Sequence, residues 1–375
     1  MKRNNFLFGY PKSLYPSDDF RSFNYQGIWQ KKFIDNYIDE AYLNGFERAN
    51  LKFSDYKIEH LPKKLYKFFS PTTYNLINLE NKQLWLTTPN NFNDPFDSYV
   101  GVEKLTYIKN YILKEIKKRR LISSDITQDT ISNEEYWKLF NSYTKNDYFE
   151  ALNDMSYYFW NRYNAIYREK SHDFQIILNK IEDEAKNDCS KKIEAIRNIP
   201  FRIACFSNFD YEEELGENTT MWSHYADNHK GFCIKYALDF EASPIKDILK
   251  CGFYKVIYSN KISNASPREL LKLKYNANNE LQVNKNLMKC IYKALLMKSR
   301  FWNYEKEWRL IIGNENLKSI IEGNIPFPFI DTIYLGCKIE KVLKDHIIQF
   351  ANFNNITIFQ AEQNNEKFKL EFREP

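Results

Sequence analysis

The chain of 375 residues carries 54 Lys and Arg against 49 Asp and Glu, a formal charge of +5 that permits nucleic-acid contact without demanding it. Its 10 glycines form neither G-x-G-x-x-G nor G-x-x-x-x-G-K-[ST], which excludes the two common glycine-rich phosphate loops. No apolar run approaches the roughly 18 residues that span a bilayer, Met1–Tyr10 lacks a signal-peptide core, and the six cysteines are scattered singly. These features imply a cytoplasmic protein with reduced thiols, no membrane contact and no cysteine metal site.

Taken in order, residues 1–60 read as an N-terminal helical extension. Phe33, Tyr37, Ile38, Tyr42 and Phe46 recur at helical spacing and predict one amphipathic helix across 30–47. Leu61-Pro62 opens an α+β domain over 61–375. In it, Lys64–Ser70 reads as a strand, Thr72–Asn81 as a short helix with Leu76, Ile77 and Leu79 inward, and Gln83–Thr88 as a second strand. The loop Pro89–Asp97 follows. Asp94 precedes proline and is biased to extended geometry, and Asn93, Asp94 and Asp97 can bond nearby backbone. That loop is either a turn device or a pocket wall with Phe92 and Phe96.

Residues 103–199 are charge-dense, with Lys104–Leu121, Asn133–Arg168 and Phe174–Arg197 helical, and read as a large helical insertion. Its basic cluster, Lys114, Lys117, Lys118, Arg119 and Arg120, is a candidate for phosphate contact or simply a solvated helix face. Phe201–Ser207 returns to strand character. Thr219–Tyr236 then predicts a helix over Met221–Asn228 capped by Asn218 or Thr219, a turn ending at Gly231, and a strand over Phe232–Tyr236. Ser223, His224, Tyr225, Asp227, Asn228 and His229 make this the densest group of reactive side chains in the chain.

Cys251–Ser259 reads as a strand, and Pro267–Lys274 and Leu281–Lys298 as helices. Trp302–Ile312 alternates and predicts a strand, with Trp308, Leu310 and Ile312 as a core stripe. Glu305, Glu307 and Arg309 then share the other face. They form either a solvated ion pair or carboxylates held on a rigid strand for chemistry. A strand over Ile330–Leu335, a helix over Lys341–Phe350 and closing strands over Thr357–Ala361 and Lys367–Phe372 complete the chain. Strands and helices interleave without regular βαβ spacing, so the fold class is α+β: a central mixed sheet with flanking helices and the helical insertion.

Three segments together resemble the bacterial "domain of unknown function 2971" family. They are Leu65–Ser70 with Asn78–Asp97, then Met221–Ile234, then Tyr304–Leu310 followed by Ile333–Gly336. The resemblance covers about 65–340, without the insertion, and the family label implies no activity. The segment order is also similar to that of ADP-ribosyltransferases, which carry a basic or His residue on a first strand, a Ser or Tyr on a second element and a Glu on a later strand. The matching positions are Lys67, then Ser223 or Tyr225, then Glu307 with Glu305 upstream. Lys67 departs from the usual Arg or His and lacks the bidentate fork of arginine.

This second resemblance implies an NAD-dependent ADP-ribosyltransferase-like effector, a bacterial toxin or phage-defence component. NAD would be the substrate, a protein or nucleic acid the acceptor, and a further protein a regulatory partner. Glu307 would stabilise the ribosyl cation and Glu305 would orient or deprotonate the acceptor, as glycosidase carboxylates do. Tyr225 or Trp222 would hold nicotinamide. Glu307, Glu305, Tyr225 and His224 are thus the catalytic candidates, and Lys67, Trp222, Ser223, Asn93 and Asp94 the nucleotide-binding ones. Two other readings stand beside it. One is a nuclease using His224, His229, Asp227 and Glu307, with His224 and Asp227 on one helix face. The other is a non-enzymatic sensor or binding module.

Overall fold

The computed structural model describes residues 28–118, 171–278, 281–313 and 323–375. Among these, eight strands form a central mixed sheet: β1 (Lys64–Phe69), β2 (Arg202–Ser207), β3 (Phe232–Ala237), β4 (Phe253–Lys255), β5 (Glu307–Ile312), β6 (Ile330–Leu335), β7 (Thr357–Gln363) and β8 (Leu370–Arg373). Their order is β8-β7-β6-β3-β1-β2-β5-β4. Only β6 and β7 are parallel neighbours. They flank the helix Lys341–Phe353, since parallel strands require a crossover.

One junction in this sheet is different. β1 pairs with β3 along its full length, Lys64 opposite Ala237 through Phe69 opposite Phe232. Against β2 it keeps a single pair, Tyr66 opposite Ser207. The vacated edge of β2 is satisfied by other groups, as buried backbone must be. Thr87 N donates to Ile203 O at 2.9 Å and Ile203 N to Thr87 O at 2.7 Å. The Lys67 ammonium donates to Cys205 O at 3.0 Å. The sheet is therefore split between β1 and β2.

Among the described residues nine α-helices have seven or more residues: α1 (Ile28–Asn44), α2 (Phe46–Ile58), α3 (Thr73–Glu80), α4 (Lys104–Lys118), α5 (Ser171–Arg197), α6 (Thr219–Tyr225), α7 (Lys246–Gly252), α8 (Lys285–Leu295) and α9 (Lys341–Phe353). The single helix expected over 30–47 is two helices, because Gly45 breaks it at φ 91° and starts α2. Phe33, Tyr37 and Ile38 are buried as expected, in a cluster shared with Ile203 and Ile311 of the sheet. Of the insertion, α4 and α5 pack on one another. Residues 119–170, with the expected helix Asn133–Arg168 and with Arg119 and Arg120 of the basic cluster, lie outside the described residues, as do the side chains of Lys117 and Lys118.

Four other expectations are corrected. Ile77 is exposed, because the inward face of α3 is formed by Asn78 and Leu79. The strand expected over Gln83–Thr88 stops at Trp85, leaving Thr87 to bridge β2. Cys251 and Gly252 end α7 instead of starting a strand. The strand expected from Trp302 begins only at Glu307. Arg300–Glu305 form a 3₁₀ turn, and Lys306 reverses the chain in the left-handed region at φ 45°, ψ 47°.

The apolar core treats the two sheet faces unequally. One face is continuous, with Leu65, Ala204, Phe206, Ile234, Trp308, Leu310 and Ile333 in one cluster. The opposite face carries two clusters. One surrounds Tyr66, Phe68, Cys233 and Tyr334; the other surrounds Ile203 and Ile311. Glu307 and Arg309 lie on this interrupted face, between the apolar patches.

Candidate functional site

Glu307 and Arg309 are two residues apart on β5, so their side chains leave the same face of the strand. Both are buried, with 2% and 0% exposure, which removes the solvated-face reading of this strand. Every N–H of the Arg309 guanidinium is used. Nε donates to Glu307 Oε1 at 2.7 Å, and Nη2 donates to Asp97 Oδ2 at 2.8 Å and Glu307 Oε2 at 3.2 Å. Nη1 donates to Ser98 Oγ at 2.9 Å and Leu295 O at 2.6 Å.

Lys298 comes from the short strand Met297–Ser299, which pairs in parallel with Ile257–Ser259. Its ammonium donates to Glu307 Oε2 at 2.8 Å and to Glu305, and lies 3.6 Å from Asp97 Oδ2. Glu305 stands at the end of the 3₁₀ turn, not on the strand, yet the reversal at Lys306 returns it to the same ammonium. The Tyr225 hydroxyl from α6 donates to Glu305 Oε1 at 2.6 Å.

A cleft of about 280 Å³ opens at the sheet split. Glu305, Glu307, Lys298 and Tyr225 line it together with Lys67, Asn93, Asp97 and Cys205. Trp85, Phe69 and Phe92 supply its aromatic walls. The two carboxylates are pushed apart. Burial raises the Glu305 carboxyl to about 7, helped by the neighbouring Glu307 charge and opposed by Lys298. Burial alone would raise Glu307 too, but Arg309 and Lys298 outweigh it and hold that carboxyl well below the usual range. Burial also lowers the Lys67 ammonium from its usual range and raises the Tyr225 hydroxyl, the latter reinforced by Glu305. Adjacent carboxyls with opposed shifts are the arrangement that lets one exchange a proton near neutrality while the other stays charged.

Five of the nine residues singled out from the sequence thus share one cleft: Lys67, Asn93, Tyr225, Glu305 and Glu307. The other four do not line it. Trp222 is fully buried, donates from its indole to Leu215 O at 2.9 Å and packs edge-on against Phe68, so its ring faces no ligand. Ser223 donates to Thr219 O at 3.1 Å and sits 3.1 Å from His229 Nε2. His224 is at the surface, its Nδ1 3.4 Å from the Tyr304 hydroxyl. Asp94 accepts the Trp302 indole N–H at 2.8 Å and the Phe96 N–H at 2.9 Å, the loop-fixing role its sequence context implies.

The expected His224–Asp227 helix pair does not form. α6 ends at Tyr225, and Asp227, Asn228 and His229 follow in the left-handed region at φ 46°, 55° and 69°. Asn218 precedes α6 without capping it; its amide donates to Tyr304 O at 2.7 Å, fastening α6 to the 3₁₀ turn.

Sequence reasoning missed Lys298 entirely, reading it as a helix end. Asp97 and Arg309 were in view, but nothing in their spacing joins residues 212 positions apart. Among the described residues no group of three or more His, Cys, Asp or Glu side chains is arranged to hold a metal ion. No helix among them is long and apolar enough to cross a membrane. All six cysteines are free thiols.

Residues 221–310 match the model of a family described as "Protein of unknown function (DUF2971)". The matched span runs from inside α6 to inside β5. It contains Tyr225, Lys298, Glu305, Glu307 and Arg309, and it omits Lys67, Asn93 and Asp97. No curated protein and no solved structure matches the chain, and neither comparison supports the resemblance to ADP-ribosyltransferases.

Proposed function

We propose that the split-sheet cleft is an active site that breaks the nicotinamide–ribose bond of NAD and transfers the ADP-ribosyl group to an acceptor. The observation that carries this reading is Glu305. It is a buried carboxyl at a cleft floor, raised to about 7 and bonded to a tyrosine hydroxyl and an ammonium. A carboxylate there stabilises oxocarbenium character on the ribose as nicotinamide departs, and takes a proton from the incoming acceptor.

The roles differ from those the resemblance implies. Glu307 accepts three bonds from Arg309 and Lys298, against the two that Glu305 accepts from Tyr225 and Lys298, so it positions the cluster while Glu305 does the chemistry. Trp85 is 39% exposed and lines the cleft, which gives it the nicotinamide-stacking role in place of Trp222. Lys67 and Asn93 supply donors toward the nucleotide.

The test is incubation of the pure protein with NAD labelled in the adenylate half and a bacterial lysate, alongside Glu305→Gln. The wild type is expected to release nicotinamide and label an acceptor, and Glu305→Gln to lose about 10²–10⁴ in rate while staying folded. Folded wild type that neither releases nicotinamide nor transfers label removes the reading.

A binding module is the second reading, favoured by the saturation of Arg309. It requires NAD affinity equal in wild type and Glu305→Gln, with no turnover in either. The effector role in toxicity or phage defence is read by expressing both forms in a bacterial host. Growth arrest by the wild type alone supports it, and so does release of that arrest by a co-expressed regulatory partner.

A further inference from the structure

A second cavity, of about 140 Å³, lies behind the Pro89–Tyr99 loop from the cleft. Its floor is apolar and buried, formed by Ile196, Phe201, Ile291 and Leu295. Its mouth is polar and open, with Asn90 and Arg197 exposed. A dry apolar cavity of about 150 Å³ takes one benzene ring, so this one is the size of a single six-membered ring or a branched alkyl group.

The charges at the mouth select the other end of the ligand. Asp94 and Asp97 also line the cavity, but both are committed. Asp94 accepts from Trp302 and Phe96, and Asp97 accepts from Arg309 and Ser98. Arg197 stacks its guanidinium 4.4 Å from the centre of the Tyr99 ring and has no carboxylate partner among the described residues. A stacked guanidinium keeps its in-plane N–H groups free for a planar anion.

We propose that this cavity is a second ligand site, for a small ring or branched-chain carboxylic acid, coupled to the cleft through the Pro89–Tyr99 loop. The acid's apolar body fills the floor and its carboxylate meets Arg197. Coupling follows from shared walls: Phe92 and Asp97 line both cavities. Ser98, at this cavity's wall, bonds Arg309, and Arg309 bonds Glu307 in the cleft. A ligand that shifts the loop shifts the partners of the cleft carboxylates, and by linkage a cleft ligand acts back on the second cavity.

The probe is benzoate, titrated into the full chain and followed by nuclear magnetic resonance of the Trp302 indole N–H, whose acceptor Asp94 lines the cavity. That signal is assigned by its loss in Trp302→Phe. The expected result is a saturable shift. Arg197→Gln, an exposed change, is expected to weaken binding about tenfold or more, and Ile291→Phe to abolish it by filling the floor. No saturable binding by folded wild type at millimolar benzoate overturns the proposal. Affinity unchanged in folded Arg197→Gln overturns it too. The readout needs no turnover, so it stands or falls apart from the chemistry proposed for the cleft.

Discussion

Glu305 and Glu307 respond to pH with opposite signs. Glu305 titrates in the folded protein at about 7 against 4.5 for the free side chain, so between those values the folded state holds more protons than the unfolded chain. Stability from this residue is full below 4.5 and falls as pH rises through 7, by at most about 3 kcal/mol. Glu307 is held low, so its contribution is present above the ordinary carboxylate range and is lost as acid drives the pH beneath it. Glu305→Gln is expected to flatten the decline in melting temperature between pH 4.5 and about 7.

Glu307→Gln leaves Arg309 and Lys298 facing an uncharged amide and is expected to cost about 3–5 kcal/mol in urea unfolding. A milder loss than Glu305→Gln gives would contradict the assigned roles. Lys57 is a separate case. It is fully buried, 3.4 Å from the centre of the Tyr254 ring and 3.9 Å from that of Phe33, and its hydrogen bond goes to Cys251 O at 3.3 Å. Burial pulls its ammonium well below the usual lysine range, so the folded state binds fewer protons and stability rises with pH toward that range. Lys57→Met is expected to raise the melting temperature at neutral pH and to erase that alkaline gain. At this scale the sequence singles out Glu305 and Tyr225, and the structure sets them side by side in the cleft. The sequence does not mark their partners, because Lys298 and Asp97 become partners only through tertiary contact.

Among the elements, the Trp302–Ile312 segment shows how far periodicity reaches. Alternation correctly places Trp308, Leu310 and Ile312 on one face and Glu307 and Arg309 on the other. It says nothing of Lys306, whose left-handed backbone converts the first half into a 3₁₀ turn and swings Glu305 onto Lys298. Amphipathic spacing likewise finds α1 but carries it past Gly45, where only backbone freedom decides. The turn after α6 depends on a different device. A Cβ at Gly231 would lie 2.0 Å from Phe69 O, and one at Gly336 would lie 2.1 Å from His229 O. Backbone runs against backbone there, and neither can retreat. Gly231→Ala is expected to cost about 2–4 kcal/mol and to displace α6, and with it Tyr225. An unchanged melting temperature would show that the strand–turn contact yields more easily than the geometry implies.

Across the molecule, the α+β class and the central-sheet strands were legible because those strands are apolar and bounded by breakers, whereas three-residue strands such as Met297–Ser299 carry too little pattern to be read. The strand order was not legible, since it joins segments such as β1 and β2 that are far apart in sequence. The split between β1 and β2 was invisible for the same reason: Lys64–Phe69 and Arg202–Ser207 read as ordinary strands. Lys67→Met tests what holds the split. It leaves Cys205 O without its ammonium donor and is expected to cost about 1–3 kcal/mol, with nucleotide affinity lost besides.

That lone Tyr66–Ser207 pairing also has a dynamic consequence. It divides the sheet into a five-stranded slab bearing Lys67 and a three-stranded slab bearing Glu307, joined like two boards on one pin. Slow breathing of the molecule should run along this seam, with deuterium entering the facing amides of β1 and β2 sooner than those between β1 and β3. Any small molecule gripping both slabs would act as a staple, and the seam would go quiet first.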